Sequence, residues 1–250
     1  MRFTDQVLFV TGGASGIGRA TAERVVSEGG RAALVDLDRG RAEEVAAEIG
    51  GGCIGLAANV AVESDVASAV AETVERLGGI DLALAAAGHA EFGPLAEWDT
   101  ARFMRMLEVH VGGTFHVCKH VTPVMKARGK GAIVTIASTA AFMANNNNVP
   151  YGAAKAAIAG LTRQFIFEAL PLVRINCIAP GRTITGMTTP LMIARGGDLE
   201  KGEEIFGAGI PMKRMGTAQE LAAAICFFLS DDSSFVTGQT LVVDGGETIS

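Results

Sequence analysis

The chain has 250 residues, 49% of them hydrophobic, and a net charge of -6 at pH 7. That balance fits one large globular unit or two small ones, and the absence of a basic run speaks against nucleic acid as a partner. No apolar run reaches the ~18 residues of a membrane-crossing helix, and the polar start Met1-Arg2-Phe3-Thr4-Asp5-Gln6 does not read as a signal peptide.

The first predicted strand covers about residues 5–11 and runs into Gly12-Gly13-Ala14-Ser15-Gly16-Ile17-Gly18, which opens a helix predicted to about residue 29. A glycine-rich turn before a helix is an anion site. The backbone approaches a phosphate closely, and the free N–H groups and helix dipole favour negative charge. The spacing Gly12-x-x-x-Gly16-x-Gly18 differs from the usual G-x-G-x-x-G, and glycines also make ordinary turns. Asp36 adds the support. It ends a second predicted strand, 31–36, and lies 18 residues after Gly18, where a carboxylate can accept from the adenosine ribose hydroxyls of a dinucleotide.

A helix over 39–49, a short strand over 53–57 and a helix over 64–77 follow. Residues 80–86 are a continuous apolar run, as in a parallel strand buried on both faces. After a loop holding His89, Asp99 caps a helix predicted to reach Ala127. Within it His116 and His120 stand four apart, a spacing that can hold zinc. A third ligand is missing, so two half-exposed helix histidines are the simpler reading. A strand over 131–137, a helix from Pro150 to about Leu170 and a strand over 174–178 come next. Residues 182–212, rich in Gly and Pro, read as irregular, with a mobile lid over about 186–212. Thr217 caps a helix to Leu229, and 240–243 is the last strand. Four scattered cysteines without a C-x-x-C suit a reducing, cytoplasmic setting.

This alternation predicts an α/β fold. Residues 1–250 form a single domain with a doubly wound parallel β-sheet, a Rossmann fold in a three-layer α/β/α sandwich. Ligands of such sheets bind at the carboxyl ends of the strands. Gly12–Gly18, Asp36, Asn59, Gly88, Ser138 and Pro180 all follow strands, so they should converge on one edge.

Tyr151 and Lys155 stand at i and i+4 on one helix face. A free phenol titrates near ~10 and is a poor base at neutral pH. A nearby ammonium, and a nicotinamide ring, stabilise the phenolate. Tyr151 would then exchange a proton with a substrate oxygen while hydride moves to or from nicotinamide. Ser138, 13 residues before Tyr151, can hold the same oxygen. Taken alone, a Tyr–Lys pair of this spacing is common on helix surfaces.

Together, Thr11-Gly12-x-x-x-Gly16-x-Gly18, Ser138, Tyr151-x-x-x-Lys155, Pro180-Gly181 and Asp244-Gly245-Gly246 resemble the short-chain dehydrogenase/reductase family over essentially the whole chain. The resemblance implies Tyr151 as acid/base and Ser138 as the group that orients the substrate oxygen. Lys155 would bind the nicotinamide ribose and lower the Tyr151 pKa. It also implies a dinucleotide site of Gly12, Ser15, Gly16, Ile17, Gly18, Asp36, Leu37, Asn59, Val60, Ala87, Gly88, Tyr151, Lys155, Pro180, Gly181, Thr183 and Thr185. Thr183 and Thr185 fit contacts to the nicotinamide carboxamide. Asp36 selects NAD over NADP, because a carboxylate repels a 2′-phosphate. Ser15 and Leu37 are uncharged where phosphate-reading members often carry a base, while Arg39 stands close by.

The chain departs from the family pattern in three places. Asn-Asn-Ala-Gly is here Ala85-Ala86-Ala87-Gly88, so that stretch must be held by packing. The asparagine of the long helix, which helps hold a water in a proton relay, is here His110, which either holds the water, relays the proton itself or merely fills space. It is counted with Ser138, Tyr151 and Lys155 as catalytic because its backbone carbonyl remains available. The aspartate beside adenine is Asn59. His89, Asn145 and Arg182 are the polar candidates for substrate, with Arg182 either pairing with a substrate carboxylate or facing solvent. Met187, Leu191, Met192, Ile193, Phe206 and Ile210 either line an apolar pocket or pack the lid down.

The leading expectation is an NAD-dependent oxidoreductase interconverting a small-molecule secondary alcohol and a ketone. The alternatives are an NADPH-dependent 3-oxoacyl-thioester reductase, which Asp36 opposes, and a non-catalytic dinucleotide-binding regulator, which His110 motivates. The resemblance further implies a homotetramer, with the helix around 102–127 and the last strand in its contacts.

Overall fold

The computed structural model describes residues 1–250. The first half alternates strictly: β1 (Val7–Thr11), α1 (Gly16–Ser27), β2 (Arg31–Asp36), α2 (Arg39–Ile49), β3 (Ile54–Ala57), α3 (Glu63–Leu77) and β4 (Leu82–Ala85). Then come α4 (Thr100–Leu107), α5 (Gly113–Ala127), β5 (Gly131–Ile136), α6 (Val149–Gln164), the single turn α7 (Ile166–Ala169) and β6 (Val173–Pro180). The last part holds β7 (Thr183–Ile184), α8 (Thr189–Gly196), α9 (Leu199–Gly207), β8 (Gly216–Thr217), α10 (Ala218–Leu229) and β9 (Thr240–Val243). Seven strands form one parallel sheet in the order β3-β2-β1-β4-β5-β6-β9, and β7 pairs with β8 alone.

The strands read as unbroken apolar runs because both faces are covered. On β1, Val7 and Phe9 enter the core under α3 and α5, while Leu8 and Val10 enter the core under α1, α2 and α10. This is the doubly wound α/β/α sandwich that the alternation predicts. Its strand order reverses between β1 and β4, so the crevice for a ligand opens there, at the carboxyl ends of both strands. No helix is long and apolar enough to cross a membrane.

The predicted elements shift by a residue or two at their ends, with one larger difference, in residues 182–212. The helix from Asp99 runs to Ala127 as expected, with a π-helical turn, Glu108–Gly112, between α4 and α5. Gly113 lies there against Val60, where a Cβ would stand 2.7 Å from a valine methyl. The helix from Pro150 is interrupted at Phe165 and resumes as α7 to Ala169, so it ends near Leu170 as expected, where the chain turns extended.

Residues 182–212 contain two helices rather than an irregular loop. Pro190 sits in the first turn of α8, Gly197 ends it at φ 88°, and the Asp198 carboxylate caps α9 by accepting from Lys201 N–H at 2.8 Å. The Gly and Pro residues there are punctuation between short helices. Met192 and Ile210 pack with Met215 into a small core of their own, with Phe206 against it.

Candidate active site

A cavity of 530 Å³ runs along the carboxyl edge from the glycine turn to Tyr151. Its walls contain every residue singled out for cofactor, catalysis and substrate except Asn145. Asn145 is exposed on the loop after Ser138, which crosses the surface rather than the cleft. The wall also includes residues the sequence did not mark: Val35, Ala58, Ala86, Arg105, Val109, Ile136, Ala137, Gly186 and Thr188. Arg105 and Val109 come from α4 and from the π-helical turn that follows it.

At one end, Gly12 and Gly16 turn at φ +67° and +51°, and a Cβ on Gly18 would stand 2.2 Å from the Gly12 carbonyl oxygen. The turn is therefore possible only for this glycine set. Ser15 begins α1 without its side chain capping the helix, so the hydroxyl and the first-turn N–H groups are free for an anion. Asp36 closes this end. Its Oδ2 accepts from Ala14 N–H at 3.1 Å and its Oδ1 from Leu37 N–H at 2.8 Å. Both oxygens keep acceptor capacity toward the cavity. Arg39 turns away, to Glu43 at 3.0 Å and Glu72 at 3.4 Å, and is absent from the wall. These features fit a dinucleotide.

The Asn59 side-chain oxygen accepts from Ala61 N–H at 3.1 Å, leaving its amide N–H groups free. Ala87 N–H donates to the Thr11 hydroxyl at 3.4 Å, a long bond, so the Ala85–Gly88 stretch is held chiefly by packing, as expected. Thr185 lies near Gly16, where an added Cβ would meet it at 3.6 Å. Thr185 thus reaches the glycine turn. The Thr183 hydroxyl donates to Gly181 C=O at 3.0 Å.

At the other end, β5 delivers Ser138 and α6 delivers Tyr151 and Lys155. Ser138 Oγ accepts from Ala140 N–H at 3.2 Å, which leaves the hydroxyl proton free to donate. Lys155 is buried and donates to the Ile136 carbonyl at 2.9 Å, with Nζ 5.5 Å from the Tyr151 ring centroid. Burial lowers the Lys155 pKa to about 8. Burial also raises the Tyr151 phenol, and the Ser138 hydroxyl pulls against that rise. The expected lowering by Lys155 is thus not what the protein's own groups produce, because desolvation of the phenolate outweighs a cation that makes no hydrogen bond to it.

His110 is 1% exposed. Its ring stands edge-on to Tyr151 at 5.6 Å, and its Nε2 lies 2.8 Å from the His89 carbonyl oxygen. Its Nδ1 is buried without a partner. Burial, with the Lys155 charge adding to it, lowers its pKa to about 3, so the ring stays neutral. The His110 carbonyl is not free as expected, since it accepts from the Thr114 hydroxyl at 2.7 Å and from Gly113 N–H. The ring also fills the space beside Gly88, where a Cβ would stand 2.4 Å from its Cε1.

Other candidates are occupied elsewhere. His116 Nδ1 pairs with the Val60 carbonyl at 2.9 Å and His120 Nε2 with Glu63 at 3.0 Å, so the two rings do not share one partner. Arg182 pairs with Glu247 at 2.9 Å and donates to the Phe206 carbonyl at 2.9 Å. Of the six apolar lid residues only Met187 reaches the cavity wall. Phe92, which the sequence left unassigned, sits 6.0 Å from the Tyr151 ring. Its loop is clamped by Arg102, which holds Glu91 at 3.0 Å and stacks on Trp98 at 4.6 Å.

A family model described as Enoyl-(Acyl carrier protein) reductase matches residues 12–248. The chain is 36% identical to 2-(S)-hydroxypropyl-CoM dehydrogenase 3 of Xanthobacter autotrophicus, over 99% of this chain and 98% of that protein. It is 35% identical to levodione reductase of Leifsonia aquatica, over 99% and 96%. A crystal structure of levodione reductase superposes with a TM-score of 0.92 over 99% of both chains at 35% identity. A structure of NAD+-bound xylitol dehydrogenase does so with 0.91, over 98% and 100%, at 32%. A match of this extent, on this fold, makes the chain a member of the short-chain dehydrogenase/reductase family, whose NAD(P)-dependent oxidoreductases act on alcohol and carbonyl groups.

Proposed function

We propose that the protein is an NAD-dependent oxidoreductase that interconverts a secondary alcohol and a ketone. One observation carries the reading: a single cavity joins a glycine turn marked by Asp36 to the group Ser138, Tyr151 and Lys155. A bound nicotinamide supplies the hydride acceptor or donor. Tyr151 takes the hydroxyl proton of the alcohol at its Oη, or returns it to the ketone. Ser138 Oγ donates to the same oxygen. Lys155 keeps two N–H groups beyond its bond to Ile136, enough to hold two ribose hydroxyls. Thr185 and the first turn of α1 close on the pyrophosphate, and Thr183 with Pro180-Gly181 borders the nicotinamide.

Asp36 together with the outward turn of Arg39 supports NAD over NADP. The 3-oxoacyl-thioester reductase reading needs NADPH and gains no support from either residue. Intact Ser138, Tyr151 and Lys155 weigh against a non-catalytic regulator. Residues 186–212 act as the lid of this one domain. A homotetramer in the cytoplasm completes the reading, supported by exposed Phe115 on α5 and exposed Phe235 and Leu241 around β9. Sedimentation velocity checks the oligomer.

The activity test is NADH formation from NAD, beside NADP, with a panel of secondary alcohols, in the wild type and in Tyr151→Phe. Turnover with NAD that the substitution lowers by about 10²-fold or more is expected. Turnover with NADP alone would overturn the reading of Asp36.

A further inference from the structure

Three cations stand in the cavity wall: Arg105, Lys155 and Arg182. Lys155 is buried and bound to Ile136. Arg105 stands on α4, ahead of the π-helical turn. Arg182 follows the Pro180-Gly181 turn and is the wall cation whose partners, Glu247 and Phe206, lie outside the wall.

Its guanidinium is already committed. Nε pairs with Glu247 Oε1 at 2.9 Å, one terminal nitrogen donates to Phe206 C=O at 2.9 Å, and the group lies 5.8 Å over the Phe206 ring. The Glu247 side chain is 10% exposed and that of Arg182 41%. The carboxylate is the deeper partner, and it would be left buried and unpaired if Arg182 swung to a substrate. The turn that presents Glu247 is fixed by Asp244, which accepts from Gly246 N–H at 2.9 Å and Thr248 N–H at 2.7 Å. Besides Lys155, apolar side chains stand at the reacting end. Phe92, 44% exposed, stands beside Tyr151, and Met187 lies in the wall.

We propose that Glu247 is a positioning residue that neutralises Arg182 and so sets the site for uncharged alcohols and ketones with an apolar body. The proposal rests on the oxidoreductase reading above. It assigns Arg182 to the protein's own tail rather than to a substrate carboxylate.

The test measures how tightly cyclohexanone and 4-oxocyclohexanecarboxylate bind the enzyme–NADH complex, by quenching of NADH fluorescence. Wild type is expected to bind the uncharged ketone more tightly. Glu247→Gln frees Arg182 and shifts the ratio toward the acid by about tenfold, the size of one charge-assisted pair. Glu247→Asp keeps the wild-type preference. The double variant Arg182→Gln/Glu247→Gln is the second arm, for the case that Glu247→Gln disturbs the tail, and with both charges gone it keeps the wild-type preference for the uncharged ketone. Tighter wild-type binding of the acid, binding of neither ketone, or an unchanged ratio in Glu247→Gln overturns the proposal. So does a shift of about tenfold toward the acid in the double variant. Selective binding of the uncharged ketone without NADH oxidation would instead sink the oxidoreductase reading and leave the charge rule standing.

Discussion

Tyr151 and His110 face each other across 5.6 Å, and their protonation has opposite consequences. In the proposed reaction, oxidation needs the Tyr151 phenolate and reduction needs the phenol. Burial raises the phenol above its ordinary ~10. Initial rates of alcohol oxidation should therefore climb between about pH 7 and 9, while rates of ketone reduction do not. His110 acts on stability instead. Its folded pKa of about 3 lies below the ordinary 6.5. Between those values the unfolded chain binds a proton that the native chain refuses, so native stability falls as pH drops through that window. The slope from this residue is up to about 1.4 kcal/mol per pH unit. Denaturant melts at pH 7 and pH 5 should show a smaller acid loss in His110→Asn than in wild type. Tyr151, Lys155 and Ser138 were legible in the sequence because a fixed spacing on one helix, placed after a strand, leaves little freedom. The role of Arg182 was not, because its partner Glu247 lies on the far side of the lid in sequence and only folding brings the tail back.

Among the elements, α8 and α9 show where composition misleads. Gly196, Gly197 and Gly202 suggest a loop, yet Gly202 lies inside α9 because α8 passes directly over it. A Cβ there would stand 2.5 Å from the Met192 carbonyl oxygen, a backbone atom that cannot rotate away. Gly202→Ala gains about 1 kcal/mol in helix propensity but forces an overpacked contact that costs about 1–3 kcal/mol. The clash should win. We expect limited proteolysis to cut first within 186–212 in this variant, and KM for the alcohol to rise with a smaller change in kcat. The π-helical turn between α4 and α5 was equally hidden. Its residues read as ordinary helix, and beside it Gly113 packs on Val60 and Thr114 donates to His110 C=O.

At the scale of the whole molecule, the sheet was the most legible feature. Apolar runs bounded by glycines, each followed by a helical pattern, leave few arrangements other than a doubly wound parallel sheet. The reversal of strand order between β1 and β4 then gathers the scattered candidates along one edge. That same edge ties remote positions together. The imidazole of His110, from the break between α4 and α5, rests on Gly88, just past the end of β4, with no room for one more carbon. Any history or redesign that exchanges these two residues therefore has a direction. A side chain entering at position 88 must displace the ring at 110, and a smaller residue at 110 removes that clash beforehand.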